Sequence, residues 1–367
     1  SGFEKYYQIA PCFRDEDPRA DRSPGEFYQL DFEMAFVTQE DIFHVIETVI
    51  PKVFKQNSDW KVDEGPFMRI PYQEAMEKYG TDLTDVFVGT EFKAFQDKTV
   101  KAIVVEKAEE KPRKFFDNLS EFAVQELEAK GLAWVKVDQE MNLNGGISKF
   151  IEDNRKAKIF EKMKVKSGSA IFFIADEKTK AEKIAGGIRI KLGEEFDLLE
   201  KNVYKFCFIV DFPMYELSDE GTIDFNHNPF SMPQGGMEAL ENQNPLDIYA
   251  YQYDLVGNGY ELASGAVRNH DQEIMIKAFE IAGYSKEDVE KRFGALFKAF
   301  QFGTPPHAGA AAGMERILML LAKENSIREV IAFPKNKKAR DVMMGAPSTV
   351  FPKQLDEIHI KLDISQE

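Results

Sequence analysis

Cysteine is nearly absent. Cys12 and Cys207 are the two in 367 residues, and they form no CxxC pair. That scarcity excludes a disulfide framework and a cysteine-built zinc site, and it fits a reducing cytoplasm. No apolar run approaches the ~18 residues of a membrane span, so no membrane partner is expected. Basic excess is missing too: 47 Lys and Arg face 63 Asp and Glu, a formal net charge of −16. Such a balance favours solubility and speaks against DNA as a partner, although a local basic patch can sit on an acidic protein. Repeats, low-complexity tracts and a recognisable signal peptide are lacking. The chain starts Ser1-Gly2-Phe3 without methionine, so the natural N-terminus is expected to have been removed.

What is present is ordinary globular material: 43% hydrophobic and 30% charged residues, with 31 Phe that point to aromatic-rich sheets. At about 100–200 residues per domain, the length allows two or three domains. Texture divides the chain at residues 1–88, 89–183 and 184–367. In the first zone, Tyr6 to Phe13 and Glu26 to Val37 read as an antiparallel strand pair around a long charged connection. Ile42, Val45, Ile46, Val49, Ile50 and Val53 then fall at helical spacing, with Pro51 expected to kink the helix or sit near its end. The middle zone is rich in Lys and Glu. It alternates strand-like runs (Ala102–Val105, Ala133–Val137, Ala170–Ile174) with helix-like ones (Asn118–Lys130, Asn154–Met163), the pattern of a small α+β domain. In the last zone, Phe206 to Phe212 reads as a strand buried on both faces. Ser285 and Asp288 read as a capping box.

Four stretches carry candidate chemistry. Arg14 leaves a strand end in a charge-dense turn. Such a turn is ordinarily just solvated, but the planar fork of an arginine there can grip a phosphate. Asp254 and Glu261 bracket an Asn258-Gly259 turn, and two carboxylates in that setting can share Mg²⁺, a hard cation that prefers oxygen. Arg268 follows and can pair with a small carboxylate. Gly309 and Gly313 precede an apolar helical run, where glycine permits close backbone approach to a nucleotide. His227 lies in the loop Phe225-Asn226-His227-Asn228-Pro229; a lone loop histidine is more often structural than functional.

Together these stretches resemble a known family. Phe13-Arg14-Asp15-Glu16, a loop, then an aromatic strand is similar to motif 2 of class II aminoacyl-tRNA synthetases. The fuller string FRDEDPRADRSPGEFYQLDFE resembles the bacterial aspartyl enzymes in particular. Asn258-Gly259-Tyr260-Glu261-Leu262 with Ser264-Gly265 and Arg268 resembles a second family segment, and Gly309 to Arg316 resembles motif 3. Lys130–Trp134, Phe172–Asp176 and Gly187–Gly193 resemble the GAD domain inserted in those enzymes. The likeness runs from Phe3 to about Leu362. Three departures are Ala263-Ser264 for Gly-Gly, Ala308 for Gly and Glu315 for Asp.

The resemblance implies an α+β fold, the class II antiparallel sheet flanked by helices, with a GAD-like insert. It implies an aspartate–tRNA ligase using ATP and Mg²⁺, with tRNA(Asp) and L-aspartate as partners, tRNA(Asn) as a further one, and a homodimer in the full enzyme. Arg14, Glu16 and Arg316 would carry the chemistry. ATP would meet Arg14, Asp15, Glu16, Phe27 (under adenine), Glu261, Gly313, Met314, Glu315 and Arg316. Aspartate would meet Arg14, Gln29, Asp31, His227 and Arg268, and the metal Asp254 and Glu261. The family's anticodon-reading domain, its motif 1 and its substrate-gripping lid lie upstream of this segment. The chain alone is therefore expected not to be fully competent. A tRNA-independent aspartate-activating enzyme and a non-catalytic paralogue are the alternatives.

Overall fold

The computed structural model describes residues 2–14, 25–77, 80–218, 220–336 and 338–362. The chain forms two compact units, Ser1–Arg69 with Tyr204–Glu367, and Ile70–Val203. The strands used below are, in chain order, β1 (Lys5–Phe13), β2 (Glu26–Ala35), β3 (Met68–Pro71), β4 (Thr81–Asp82), β5 (Thr99–Val105), β6 (Ala133–Val137), β7 (Leu143–Asn144), β8 (Ala170–Asp176), β9 (Phe206–Pro213), β10 (Tyr249–Gly257), β11 (Tyr260–Val267) and β12 (His307–Gly313). The helices are α1 (Gln39–Asn57), α2 (Arg113–Leu127), α3 (Asp153–Met163), α4 (Lys178–Glu195), α5 (Gln272–Ile281), α6 (Lys286–Phe300) and α7 (Met314–Ala322).

The first unit is built on a seven-stranded sheet of order β1-β2-β12-β11-β10-β9-β3. The pairings from β1 through to β9 are antiparallel. Side chains alternate between its faces. One face carries Phe32, Met34, Ala308, Ala310, Ala312, Tyr253, Leu255, Phe206 and Phe208 and packs under α1, which buries Ile42, Phe43, Ile46, Ile50 and Phe54 against it. Phe43 stacks on Phe208 at 4.0 Å and meets Tyr253 edge-on at 4.9 Å. α1 starts at Thr38, whose amide donates to Asp41 Oδ2 at 2.7 Å in a capping box. Pro51 lies inside α1 rather than at its end. The capping box expected at Ser285 is present and starts α6, which is kinked at Phe293.

β9 departs from expectation. Phe206, Phe208, Val210 and Phe212 are buried, but Cys207, Ile209 and Asp211 between them are only half-buried. The strand is apolar but for Asp211, yet only one of its faces meets the core beneath α1.

The second unit is a five-stranded sheet of order β4-β5-β8-β6-β7, antiparallel throughout. Both faces are covered. Val100, Ala102, Val135, Val137, Ile171 and Phe173 pack against α3 and the 83–95 segment. Val105, Ala170, Phe172 and Ile174 pack against α2 and α4. The expected limits of 89–183 fall inside this unit, which reaches further out on both sides. The reason is packing: β4 pairs with Lys101 and Ala102, and α4 buries Ile184, Ile188 and Leu192 in the same core. Gly187 to Gly193, likened above to the inserted domain, lie in a helix of this unit. The expected helix Asn118–Lys130 begins and ends earlier, as α2; Glu128 adopts a left-handed conformation at φ 55° and stops it.

Candidate active site

The face of the seven-stranded sheet away from α1 gathers the polar residues. Register places them in rows. Asp31 on β2 faces Ala311 on β12, which faces Ser264 on β11, which faces Asp254 on β10. Glu33, Gly309, Ala266 and Gln252 form the next row along. Gln8 on β1 extends the first row and Tyr6 the second. Small residues in mid-sheet, Gly309, Ala311 and Ser264, keep the floor low between the charged walls. Gly309 is compulsory, since a Cβ there would stand 2.1 Å from the Phe32 carbonyl oxygen and 2.4 Å from Glu33 Cδ. Gly313 is not: its Cβ would meet nothing closer than 3.9 Å. The close approach expected of both glycines is thus a demand of the protein's own packing only at Gly309.

Glu261 reaches this face through an irregularity. β11 pairs Ser264 with Asp254 and Ala263 with Leu255, but then Glu261 with Val256. The extra residue, Leu262, is buried in the core beneath α1. Simple alternation from Ser264 would send Glu261 to the core face; the bulge returns it to the side of Asp254. Burial pushes the Asp254 carboxyl up to about 7, and the Glu261 charge pushes the same way, while a hydrogen bond from Ser264 and the charge of Arg316 oppose them. Asp254 Oδ1 is buried with no hydrogen-bond partner. Arg316, in the first turn of α7, donates from Nη1 to the Glu261 carbonyl at 2.8 Å and lies 3.5 Å from Glu261 Oε1. Glu315, expected with the nucleotide, accepts at both its oxygens from the Tyr28 amide, at 2.9 and 3.0 Å, tying α7 to β2 beside Phe27. Met314 is half-buried beside it.

At the start of β2 the Arg14 guanidinium lies over the Phe27 ring, 5.2 Å from its centroid. The Arg14 amide donates to Gly25 O at 2.8 Å, closing the ends of the long connection. Asp15 and Glu16 lie outside the described residues. Gln29 Oε1 accepts from the Cys12 thiol at 3.3 Å. Asp31 Oδ2 accepts from Gln8 Nε2 at 3.1 Å, and its Oδ1 is buried without a partner.

Arg268 stands one step past the end of β11. Its Nε and Nη2 both donate to Glu33 Oε1, at 3.0 and 2.6 Å. Glu33 thereby fixes one edge of the guanidinium and leaves Nη1 out of that pair. The Arg268 amide donates to His307 O at 2.9 Å, and Arg268 bridges to Ser231. That bridge brings the 226–231 loop alongside. His227 in this loop is exposed, its ring 5.3 Å from Phe212, and it lines a cavity of about 260 Å³ with Phe225, Phe279, Tyr284 and Arg292.

Tyr6, Gln8, Glu33 and Ser264 complete the site and were missed as functional positions. Glu33 had a signal: it continues the alternate spacing of Gln29 and Asp31. Tyr6 and Gln8 had none without the register of β1. The Tyr6 phenol is held above its usual range, first by burial and then by the Glu33 and Asp31 carboxylates.

An antiparallel sheet with helices behind it and a polar, arginine-flanked face in front is the class II synthetase arrangement. The family model described as tRNA synthetases class II (D, K and N) matches residues 1–337, and the chain belongs to that family. Among its relatives is the aspartate–tRNA ligase of Streptomyces coelicolor, 53% identical over 373 residues that cover 98% of this chain and 63% of that protein. Another is the aspartate–tRNA(Asp/Asn) ligase of Rickettsia akari, 52% identical over 387 residues that cover 100% of this chain and 64% of that protein. The chain therefore spans somewhat under two thirds of their length. A solved aspartyl tRNA synthetase from Entamoeba histolytica aligns over 92% of this chain and 49% of its own, at 19% identity and a TM-score of 0.48.

Proposed function

We propose that the whole protein activates L-aspartate with ATP and transfers it to the 3′ end of tRNA(Asp). The observation that carries this reading is the gathering of Asp31, Asp254, Glu261, Arg268 and Arg316 around one face of one sheet, with Arg14 and Phe27 at its near end. In the first step an aspartate α-carboxylate oxygen attacks the α-phosphorus, an O–P bond forms, and the bond to pyrophosphate breaks. In the second, a hydroxyl of the terminal adenosine takes the aspartyl group and AMP leaves.

Each site residue has a part in this reading. Phe27 stacks on adenine, and Arg14 and Arg316 neutralise phosphate charge. Asp15, Glu16, Gly313 and Met314 flank the nucleotide. The unpartnered Asp31 Oδ1 suits the substrate ammonium, and Gln29 and His227 are read as further contacts of the same substrate. One substrate carboxylate must reach phosphorus, so Arg268, held by Glu33 further along the sheet, takes the other. The Asp254–Glu261 pair fits Mg²⁺. The orphaned Asp254 oxygen needs a cation, and the described residues offer no cluster of three or more metal-ligating side chains. That economy suits Mg²⁺, which usually binds one or two carboxylates and takes its remaining ligands from substrate phosphates and water. When bound, the ion would neutralise charge developing on those phosphates.

The Ile70–Val203 unit is read as the GAD-like insert, the natural assembly as a homodimer and the compartment as the cytoplasm. Because the Rickettsia relative is named for both tRNAs, tRNA(Asn) is included as a second acceptor. The test is aspartate-dependent ATP–pyrophosphate exchange, run on this chain and on a chain extended to the length of its relatives. Exchange in either, abolished by Arg14→Ala, supports the reading. Absence of exchange in both would put a non-catalytic paralogue first.

A further inference from the structure

Asp211, inside β9, has a left-handed backbone at φ 56°. That conformation is costly for any residue with a side chain, though less so for Asp and Asn than for most. The other non-glycine residues with positive φ, among those described, lie outside the strands and helices. A backbone held this way within a strand points to a local demand that regular pairing does not meet.

The ladder changes at the same step. Val210 faces Tyr253, but Phe212 faces Ala250, so Asp211 stands against two residues, Tyr251 and Gln252. Tyr251 donates its amide to Met232 O at 2.9 Å, in the segment that returns from the His227 loop. Two residues on, Gln234 Nε2 donates to Asp211 Oδ1 at 2.7 Å. That hydrogen bond to a carboxylate offsets part of the cost of the turned backbone. The turn also changes what β9 presents. Phe206, Phe208 and Val210 enter the core beneath α1. Phe212, just past the turn, sets its ring 5.3 Å from the His227 imidazole. Phe212 is buried and His227 is exposed, so a fixed ring supports an imidazole at the surface. The departing leg of the loop is tied close by, where the Asn226 amide donates to Met214 O at 3.1 Å. Strand irregularities beside active sites commonly re-aim a side chain in this way.

We propose that Asp211 is a positioning residue for recognition of the amino-acid substrate. Its hydrogen bond with Gln234 holds the left-handed turn, the turn aims Phe212, and Phe212 sets the imidazole of His227. This role rests on the reading of His227 as an aspartate contact, and it places the control of that contact on β9.

Two readouts test it, one of them independent of activity. In protein labelled with ¹³C-histidine, the His227 ring signal is identified by its loss in His227→Gln. Asp211→Ala should move that signal in the direction that Phe212→Leu moves it. Asp211→Asn tolerates the left-handed backbone and keeps an oxygen for Gln234, and should leave it in place. In pyrophosphate exchange on the chain extended to the length of its relatives, Asp211→Ala should raise the aspartate KM about tenfold, with kcat and the ATP KM within about twofold of the parent. Gln234→Leu should raise it about threefold, and Asp211→Asn by less than about twofold. An equal rise in the ATP KM would mean a general loosening of the fold and overturns the proposal. So does an unmoved His227 signal in Asp211→Ala, or a moved signal with an unchanged aspartate KM. In that last case His227→Gln tells which part failed: a raised aspartate KM there sinks only the link to Asp211, and an unchanged one sinks the reading of His227 itself. Absence of exchange in the parent sinks the proposed function and this role with it.

Discussion

The two sheets of this chain are made from similar residues and put to opposite uses. The five-stranded sheet is packed on both faces, and β8 in its centre is buried along nearly its whole length. The seven-stranded sheet is packed on one face only. Its interior strand β12 alternates buried alanines beneath α1 with small residues on the side of Asp31, Asp254 and Glu261. A sheet covered on both sides has no floor left for a substrate. A sheet covered on one side can place a row of charges at fixed spacing on a rigid base, which is what phosphoryl and acyl transfer between small anions requires. On its open face the unpaired buried oxygens of Asp31, Glu33 and Asp254 lie together along neighbouring strands, whereas those of the closed-sheet unit, on Ser169, Asp176 and Glu182, belong to no such row.

The sharpest way to separate the two sheets is to damage each in turn. Phe172→Ala removes a fully buried ring from the closed sheet and should destabilise the second unit by about 3–5 kcal/mol. A two-transition thermal melt should show that loss while the other unit's transition stays in place; a uniform shift of both would break the comparison. Gly309→Val forces atoms into the backbone of β2 and should destabilise the first unit by roughly 3 kcal/mol, whereas Gly313→Ala should change its stability by less than about 0.5 kcal/mol. Equal melting of the two variants would remove the distinction drawn between these glycines.

Substitutions on the open face should act on ligands instead of folding. Arg268→Ala should raise the aspartate KM in pyrophosphate exchange by about 30-fold, equivalent to about 2 kcal/mol, with the ATP KM nearly unchanged. An equal rise in both would place Arg268 with the nucleotide. The smallest effect has the opposite sign. Asp254→Asn should stabilise the ligand-free protein by about 1 kcal/mol at pH 8, measured by denaturant unfolding. The folded Asp254 keeps its proton up to about pH 7, while the unfolded one releases it near the ordinary carboxylate value. Stability of the parent therefore falls as pH rises between those points. The Asn variant should gain little at pH 4 and its full advantage above pH 7. A gain independent of pH would mean that Asp254 is not strained by its charge.

Much of this was legible in the residues. Phe13-Arg14 and the strand from Glu26, the Asn258-Gly259 turn, and the glycines ahead of Arg316 stand where their spacing put them. Local signals sufficed because each is a short element with its own turn or cap. What could not be read was set by distant partners. The open side of β9 depends on which faces α1 covers, not on the apolar run itself. The reach of the second unit depends on α4, whose Lys- and Glu-rich sequence hides a buried stripe of Ala181, Ile184, Ile188 and Leu192. The tie that Glu315 makes to the amide of Tyr28, far away in the chain, has no signal in the motif around it.

The bulge at Leu262 lets two demands be met at once. β11 sends Leu262 and Ala263 to the core in succession, yet Glu261 still stands opposite Val256, on the side of Asp254. Without Leu262 the pairing of Glu261 with Val256 would become regular, and the carboxylate would keep its face while the core beneath α1 lost a leucine. The extra residue therefore serves the packed side of the sheet, and the open side accommodates it because the irregularity is absorbed within one step of the hairpin.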